Sequence, residues 1–134
     1  MKNILIALAL LLLLSYACLE LLGYSELTAT HTLGIPTNTS RVCYIQMEEP
    51  ESFDYELESD IPITLIITKG TDITFNQTTG EPITEGVKAV TKVYNTDHYS
   101  ESIGLGKGTY VLIITDVEEY ANVKIRTNMH MECD

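Results

Sequence analysis

The chain has no tryptophan, only two phenylalanines and only eight basic residues among 134. With 19 acidic residues, the formal net charge is −11. A nucleic-acid-binding surface needs clustered positive charge to release counterions from phosphates, so we exclude nucleic acid as a partner. Only four prolines and eight glycines accompany a hydrophobic content of 45%. This composition excludes collagen-like and wholly disordered chains, and the length fits a single domain.

An uninterrupted apolar run lies near the N-terminus, from residue 4 to residue 14, and Lys2 is the only charge before it. A run of 11 residues matches the core of a secretory signal peptide and is short for a bilayer span. Small residues stand at the first and third positions of Ser15-Tyr16-Ala17, which is the pattern that signal peptidase recognises. We therefore predict a signal peptide over residues 1–17.

Three fates of this segment stay open. Cleavage after Ala17 would make Cys18 the first residue, which resembles a bacterial or archaeal lipoprotein site. Plain secretion without a lipid is the second alternative. The third is an uncleaved anchor over residues 1–23, because only Glu20 interrupts the apolar stretch up to Leu22. All three predict that the rest of the chain lies outside the cytoplasm, secreted or tethered to the membrane at the cell surface.

The sequence after residue 25 alternates between apolar and polar residues with a period of two. Such alternation is typical of half-buried strands, and threonine, isoleucine, valine and tyrosine are frequent. We predict an all-β fold, an antiparallel β-sandwich of about seven to nine strands over residues 35–134, with a linker or extended first strand over residues 18–34. The candidate strands lie near 25–33, 41–47, 52–58, 61–68, 71–76, 87–94, 98–103, 109–116 and 121–130.

Four segments follow one another in a familiar order: Phe53-x-Tyr55-x-Leu57, Ile63-x-Leu65-x-Ile67, Gly108-Thr109-Tyr110 with the apolar run after it, and Val123-x-Ile125. Over residues 41–130, this order resembles the small jelly-roll sandwiches of the pre-peptidase C-terminal type and of the GOLD (Golgi dynamics) type. The resemblance implies a non-catalytic, extracytoplasmic binding or accessory module.

Two further cysteines and two glycosylation sequons agree with an exported chain. Cys43 and Cys133 both have the strand parity of the apolar face, and a disulfide is their simplest pairing outside the cytoplasm. Two buried free thiols are the alternative. The sequons begin at Asn38 and Asn76, both in turn-like sequence, and make these asparagines glycosylation candidates.

An acidic strip is formed by Asp54, Glu56, Glu58 and Asp60, which alternate along one predicted strand. A solvated acidic face is the simplest interpretation. The alternative is a face for a cation or a basic partner, with calcium as the candidate ion and no other cofactor expected. Because calcium needs six to eight oxygen ligands, one strand cannot hold it alone, and a neighbouring loop would have to contribute through Asp72, Asp97 or Asp116.

Catalytic and soft-metal patterns are weak. Asp97-His98-Tyr99-Ser100 contains the residue types of a hydrolase, but neighbours on one strand cannot form a triad, and no Gly-x-Ser-x-Gly elbow is present. The Met129–Cys133 segment contains copper(I) ligand types, but His130 has the opposite parity. We expect neither an enzyme nor a metal site here.

The sequence therefore predicts a binding or interaction module whose partner is a protein or glycan at the cell surface. The alternative is a structural subunit of a surface filament or layer. In that hypothesis, residues 25–33 would add as a strand to the sandwich of another copy, so self-association is part of it.

Overall fold

A computed structural model of the chain describes residues 27–134. The predicted leader, the alternative anchor and Cys18 lie outside the described residues. Within 27–134 there are nine strands and one 3₁₀ turn (Gly70–Asp72). The strands are β1 (Ala29–Ile35), β2 (Arg41–Met47), β3 (Glu51–Lys69), β4 (Thr74–Phe75), β5 (Pro82–Ile83), β6 (Ala89–Leu105), β7 (Gly108–Thr115), β8 (Ala121–Thr127) and β9 (Glu132–Cys133).

Seven of these strands form one antiparallel sheet that folds into two facing layers. The first layer runs β1–β8–β3–β6, and the second runs β9–β2–β7–β3–β6. The long strands β3 and β6 belong to both layers, because residues 55–59 of β3 pair with β8 and residues 64–69 pair with β7. The predicted all-β antiparallel sandwich is confirmed.

The main core lies between the two layers and is built by the alternation visible in the sequence. Inward side chains from both layers are almost fully buried, and those of β3 keep one parity from Phe53 to Ile67 across both layers. The fully or nearly fully buried members are Leu33, Ile35, Cys43, Ile45, Met47, Phe53, Tyr55, Leu57, Ile63, Leu65, Ile67, Leu105, Tyr110, Leu112, Ile114, Val117, Ala121, Val123, Ile125 and Met131.

A bend in β3 joins what the sequence predicted as two strands. The pairing of β3 with β6 shifts register between Glu58 and Ile63, and Pro62 within this interval has no N–H to donate to a ladder. β3 continues as one strand because its hydrogen-bonded neighbour changes from β8 before this point to β7 after it. The predicted strands 87–94 and 98–103 are likewise one strand, β6, which pairs with β3 on both sides of the bend.

A second, smaller core covers the outer side of the second layer. Val111 and Ile113 of β7 are buried there, so this strand is buried on both faces, as its continuous apolar run predicts. The segment after β3 folds over this face. Residues 69–72 do not form a hairpin between β3 and β4: they lead through the 3₁₀ turn to β4, which pairs with β5 instead of β3.

The first and last strands close the side of the sandwich opposite β6. All seven residues of β1 pair with β8, so this strand belongs to its own chain's first layer. β9 pairs with β2 and places Cys133 directly across from Cys43. Among the described residues, no helix is long and apolar enough to cross a membrane.

Candidate functional site

The acidic strip lies on the outer surface of the first layer, where its neighbours come from β8 and β6. In register, Arg126 lies beside Glu56, and Glu58 lies between Lys124 and His98. Because antiparallel neighbours that are directly opposed project to the same face, the fold places basic side chains next to the strip. No pattern along β3 alone shows this, since the pairing is between segments about 40 to 70 residues apart.

Glu56 is paired with a cation of its own chain. Its Oε1 accepts a hydrogen bond of 2.7 Å from Nη2 of Arg126 and lies 3.9 Å from Nε2 of His98. The hydrogen bond from Arg126 lowers the pKa of the Glu56 carboxyl and raises the pKa of the guanidinium. At the centre of the strip, Glu56 is therefore paired with Arg126, and the neighbouring Glu58 is exposed.

The two ends of the strip are also engaged. Asp54 is buried, and its Oδ1 accepts hydrogen bonds from the hydroxyls of Ser52 and Ser102. Asp60 accepts two hydrogen bonds from Asn122, at 2.8 Å from the backbone N–H and 2.9 Å from the side-chain amide. The hydrogen bond from the Asn122 side chain is the largest cause of the lowered pKa of the Asp60 carboxyl.

Glu56, Glu58 and His98 bring possible metal-ligand atoms within 4.8 Å of one another. An imidazole nitrogen with two carboxylates suits zinc and similar divalent ions better than calcium, which prefers oxygen ligands alone. Arg126 already occupies one of these carboxylates. Asp116, a loop residue that could have completed a calcium site, lies elsewhere, at the bend of β3. The cation or basic-partner role of the strip stays a prediction.

A cavity of about 440 Å³ opens where β3 bends between the layers. Its volume is within the range of about 300–1,000 Å³ that is usual for ligand sites. Three segments line it: the bend itself, the middle of β6 and the loop from β7 to β8. We call it the bend cavity, and its lining residues are Ile61, Pro62, Ile63, Thr64, Tyr94, Asn95, Asp116, Glu118 and Glu119.

Local conformation shapes the bend cavity. Asn95 and Asp116 have positive φ values of 52° and 58°, in the left-handed region that asparagine and aspartate tolerate best among residues with side chains. Asn95 lies within β6 at a register shift in its pairing with β3, and Asp116 begins the loop to β8.

The bend cavity is anionic and has an exposed aromatic ring. Asp116, Glu118 and Glu119 are solvent-exposed, and within residues 27–134 none of them makes a hydrogen bond or an ion pair. Tyr94 is 62% exposed, and Nζ of Lys92 lies 5.2 Å from the centre of its ring. Of these side chains, the sequence analysis named only Asp116, as a possible contributor to a calcium site. Pro62 inside an alternating strand was the one local signal of a bend here.

The cysteine pair predicted from parity is a disulfide, Cys43–Cys133, with the Cα atoms 4.0 Å apart. Both sequon asparagines are exposed in turns, Asn38 between β1 and β2 and Asn76 after β4. Oδ1 of Asn76 accepts hydrogen bonds from the N–H groups of the second and third residues after it. Whether either asparagine carries a glycan stays a prediction.

Two solved structures are similar to this fold. The Yersinia pseudotuberculosis-derived mitogen has a TM-score of 0.50 and 14% identity, over 76% of this chain and 85% of the mitogen chain. The pre-peptidase C-terminal domain of collagenase from Bacillus anthracis has a TM-score of 0.53 and 10% identity, over 79% of this chain and 88% of that domain. No family model and no curated protein matches this chain.

These similarities confirm the predicted resemblance to pre-peptidase C-terminal modules at the level of the fold. Both neighbours are β-sandwich domains, and one such fold hosts many functions. At such low identity the likeness shows the fold alone. Function has to be argued from the surface features of this chain.

Proposed function

We propose that this protein is a non-catalytic binding module that works outside the cytoplasm, secreted or tethered to the membrane at the cell surface. The observation that carries the proposal is the disulfide between Cys43 and Cys133. Disulfides persist in oxidising compartments and are rare where glutathione and thioredoxin keep thiols reduced. The apolar run at residues 4–14 supports the same location.

Its surface features support binding. The bend cavity offers a concave, anionic surface with an exposed tyrosine, which suits recognition of a partner. His98, which the sequence analysis considered as a hydrolase residue, is 60% exposed and lies beside Glu56 and Glu58. This ionic arrangement lies on an open sheet surface, where a partner with complementary charge can reach it.

The filament alternative gains no support from β1. Strand addition to another copy requires a strand that is free to leave its own domain. Residues 29–35 are instead paired with β8 over the whole length of β1, and Leu33 and Ile35 are buried in the main core. We therefore favour a displayed binding module over an assembly subunit.

The location is tested by protease treatment of intact cells that produce the chain with a short epitope after Asp134. We expect the epitope to be removed from intact cells or found in the medium. A cytoplasmic marker should remain intact, and a variant that lacks residues 2–17 should be protected. Protection of the full-length protein in intact cells would contradict the proposal.

The binding role is tested by adding fluorescently labelled mature protein to the cells that produce it. We expect saturable binding to the cell exterior that unlabelled protein displaces. The paired variants Tyr94→Ala and Tyr120→Ala separate the bend cavity from another exposed tyrosine. Binding that never saturates, or that excess unlabelled protein does not reduce, would contradict the proposal.

A further inference from the structure

We propose that the bend cavity binds an arginine side chain of a basic partner polypeptide. This inference rests on the proposed function, because it names the partner class of the binding module. The cavity, its exposed ring and its unpaired carboxylates lie together at one point of the fold. The predicted cation face on β3 is a different surface.

The walls of the cavity fit a long side chain with a charged end. Ile61, Pro62 and Ile63 supply apolar surface at the bend, and Glu118 and Glu119 lie in the opposite loop. Arginine buries its aliphatic stem against apolar surface while its guanidinium reaches polar partners. The cavity provides both environments within one opening.

The charges of the cavity lack compensation within the described chain. Asp116, Glu118 and Glu119 are its three ionisable carboxylates, no basic residue lines it, and no ion pair within 27–134 involves them. On the acidic strip, by contrast, Arg126 already forms a 2.7 Å hydrogen bond with Glu56. An external cation therefore meets unpaired carboxylates in the cavity. On the strip, it would have to compete with Arg126.

Tyr94 favours a guanidinium over other cations. Its ring is 62% exposed, and the ammonium of Lys92 lies 5.2 Å from the ring centre. Lys92 therefore competes for this ring, and the exposed remainder of the ring is the surface that an incoming guanidinium can contact. A planar guanidinium can stack on an aromatic face and donate two parallel hydrogen bonds to a carboxylate, which an ammonium cannot do. Neutral sugars would also stack on tyrosine, but they would leave the three carboxylates without a charged partner.

A polypeptide fits this position better than a free amine. In the described part of the chain β6 pairs only with β3, so its second edge is open beside Tyr94 and Asn95. An isolated exposed ion pair contributes little free energy. Contacts of a partner backbone with this open edge add interactions that a small amine lacks.

The test is a titration of ¹⁵N-labelled mature protein, followed by NMR. The probe is the peptide acetyl-Gly-Gly-Arg-Gly-Gly-amide, and the comparison ligands are its glutamine counterpart, agmatine and chitotriose. We expect the arginine peptide to shift the amide signals of Ile63, Tyr94 and Glu118. The glutamine peptide should leave them in place, and binding should weaken as sodium chloride rises.

Matched variants decide whether the cavity is responsible. The double variant E118Q/E119Q should weaken peptide binding about tenfold, because it removes two of the three charges. The double variant E48Q/E49Q changes two adjacent exposed glutamates in the β2–β3 connection and should leave binding unchanged. Tyr94→Ala should also weaken binding about tenfold by removing the stacking surface. Tyr120→Ala should not.

Four outcomes would overturn the inference. Equal losses in the two glutamate pairs would mean that only net charge matters. Agmatine that binds as tightly as the peptide would make the site one for small amines. Chitotriose shifts at the same amides without a peptide response would make it a glycan site. Absence of shifts with every probe would remove the cavity as a site. In that case saturable binding to the cell exterior would still support the broader function.

Discussion

At the scale of single residues, environment separates acids that the sequence presents as equivalent. Asp54 is buried between two serine hydroxyls, whereas Glu58 is exposed beside His98. Alternation along β3 predicted correctly that these acids share a face, because strand parity is local. Their partners on β8 and β6 depend on strand pairing between distant segments, so the sequence pattern could not reveal them.

The first residue-scale prediction concerns Arg126 and the pKa of Glu56. The hydrogen bond from Arg126 is the largest cause of the low pKa of Glu56, so Arg126→Gln should raise this pKa toward its usual range. Lys124→Gln is the control, because Lys124 lies across from Glu58. Carboxyl ¹³C chemical shifts followed over an acid titration measure the effect. A Glu56 pKa that Arg126→Gln leaves unchanged would contradict this account of the strip.

The second residue-scale prediction concerns His31 of β1. The structure makes it half-buried, with its Nε2 buried and without a hydrogen-bond partner, and with its ring centre 6.4 Å from that of His130. Burial, followed by the nearby His130, lowers the pKa of His31 below 6.5. The unfolded state then binds more protons below about pH 6.5, so acidification should reduce the free energy of unfolding.

The measurement is denaturant unfolding at about pH 7.5 and about pH 5.5, on either side of the usual histidine range. His31→Gln should lose less stability on acidification than the wild type, since glutamine does not titrate. His98→Gln keeps the buried imidazole and should lose as much stability as the wild type. An acid-induced loss in His31→Gln equal to that of the wild type would assign the effect to other groups.

At the scale of elements, strand type was predictable and strand continuity was not. The predicted strand 41–47 coincides with β2, because its alternation and flanking turns are local. The predicted strands 52–58 and 61–68 are not separate, although Pro62 lies at a register shift in the second of them. Exchange of neighbours keeps them in one strand, β3, and this exchange also opens the bend cavity. A site made by three distant segments has no signature in any one of them.

The disulfide is expected to hold the C-terminal strand on the sandwich. β9 has only two residues, and its pairing is with β2 alone. Cys43 and Cys133 are 90 residues apart, so the chain-entropy model predicts a stabilisation of about 4 kcal/mol. The double variant C43A/C133A should lose about this much in denaturant unfolding. Similar stability of the variant and the oxidised wild type would show that the bridge does not constrain the unfolded chain as assumed.

The segment over the second layer makes a separate contribution to stability. Ile73 is 6% exposed and packs with Ile66, Val111 and Ile113 in the smaller core. Ile73→Ala should lower the free energy of unfolding by about 2–4 kcal/mol through lost apolar contact and a cavity.

Ile83→Ala is the matched control for this core, since Ile83 is 46% exposed in β5. Its effect should stay within about 0.5 kcal/mol. Denaturant unfolding of both variants measures the difference. Equal losses, or no loss in Ile73→Ala, would mean that this segment does not cover the layer in solution.

At the scale of the whole molecule, fold class followed from period, turn residues and composition, and the similar solved structures share that class. The net charge of −11 fits a protein that stays soluble and is attracted to cationic partners. Parity predicted the pairing of Cys43 with Cys133, because the inward-facing side chains of β2 and β9 meet the same core. The partner could not be predicted, since one charge pattern fits many ligands.

The central claim is that this sandwich matures outside the cytoplasm with its disulfide closed. The most direct test is the intact mass of the native protein, taken from membrane and medium fractions with and without reductant. We predict a gain of two hydrogens on reduction. The chain should also begin at Cys18, with or without a lipid, or retain its full length in the membrane fraction. A cytoplasmic, full-length chain whose mass does not change on reduction would contradict the account.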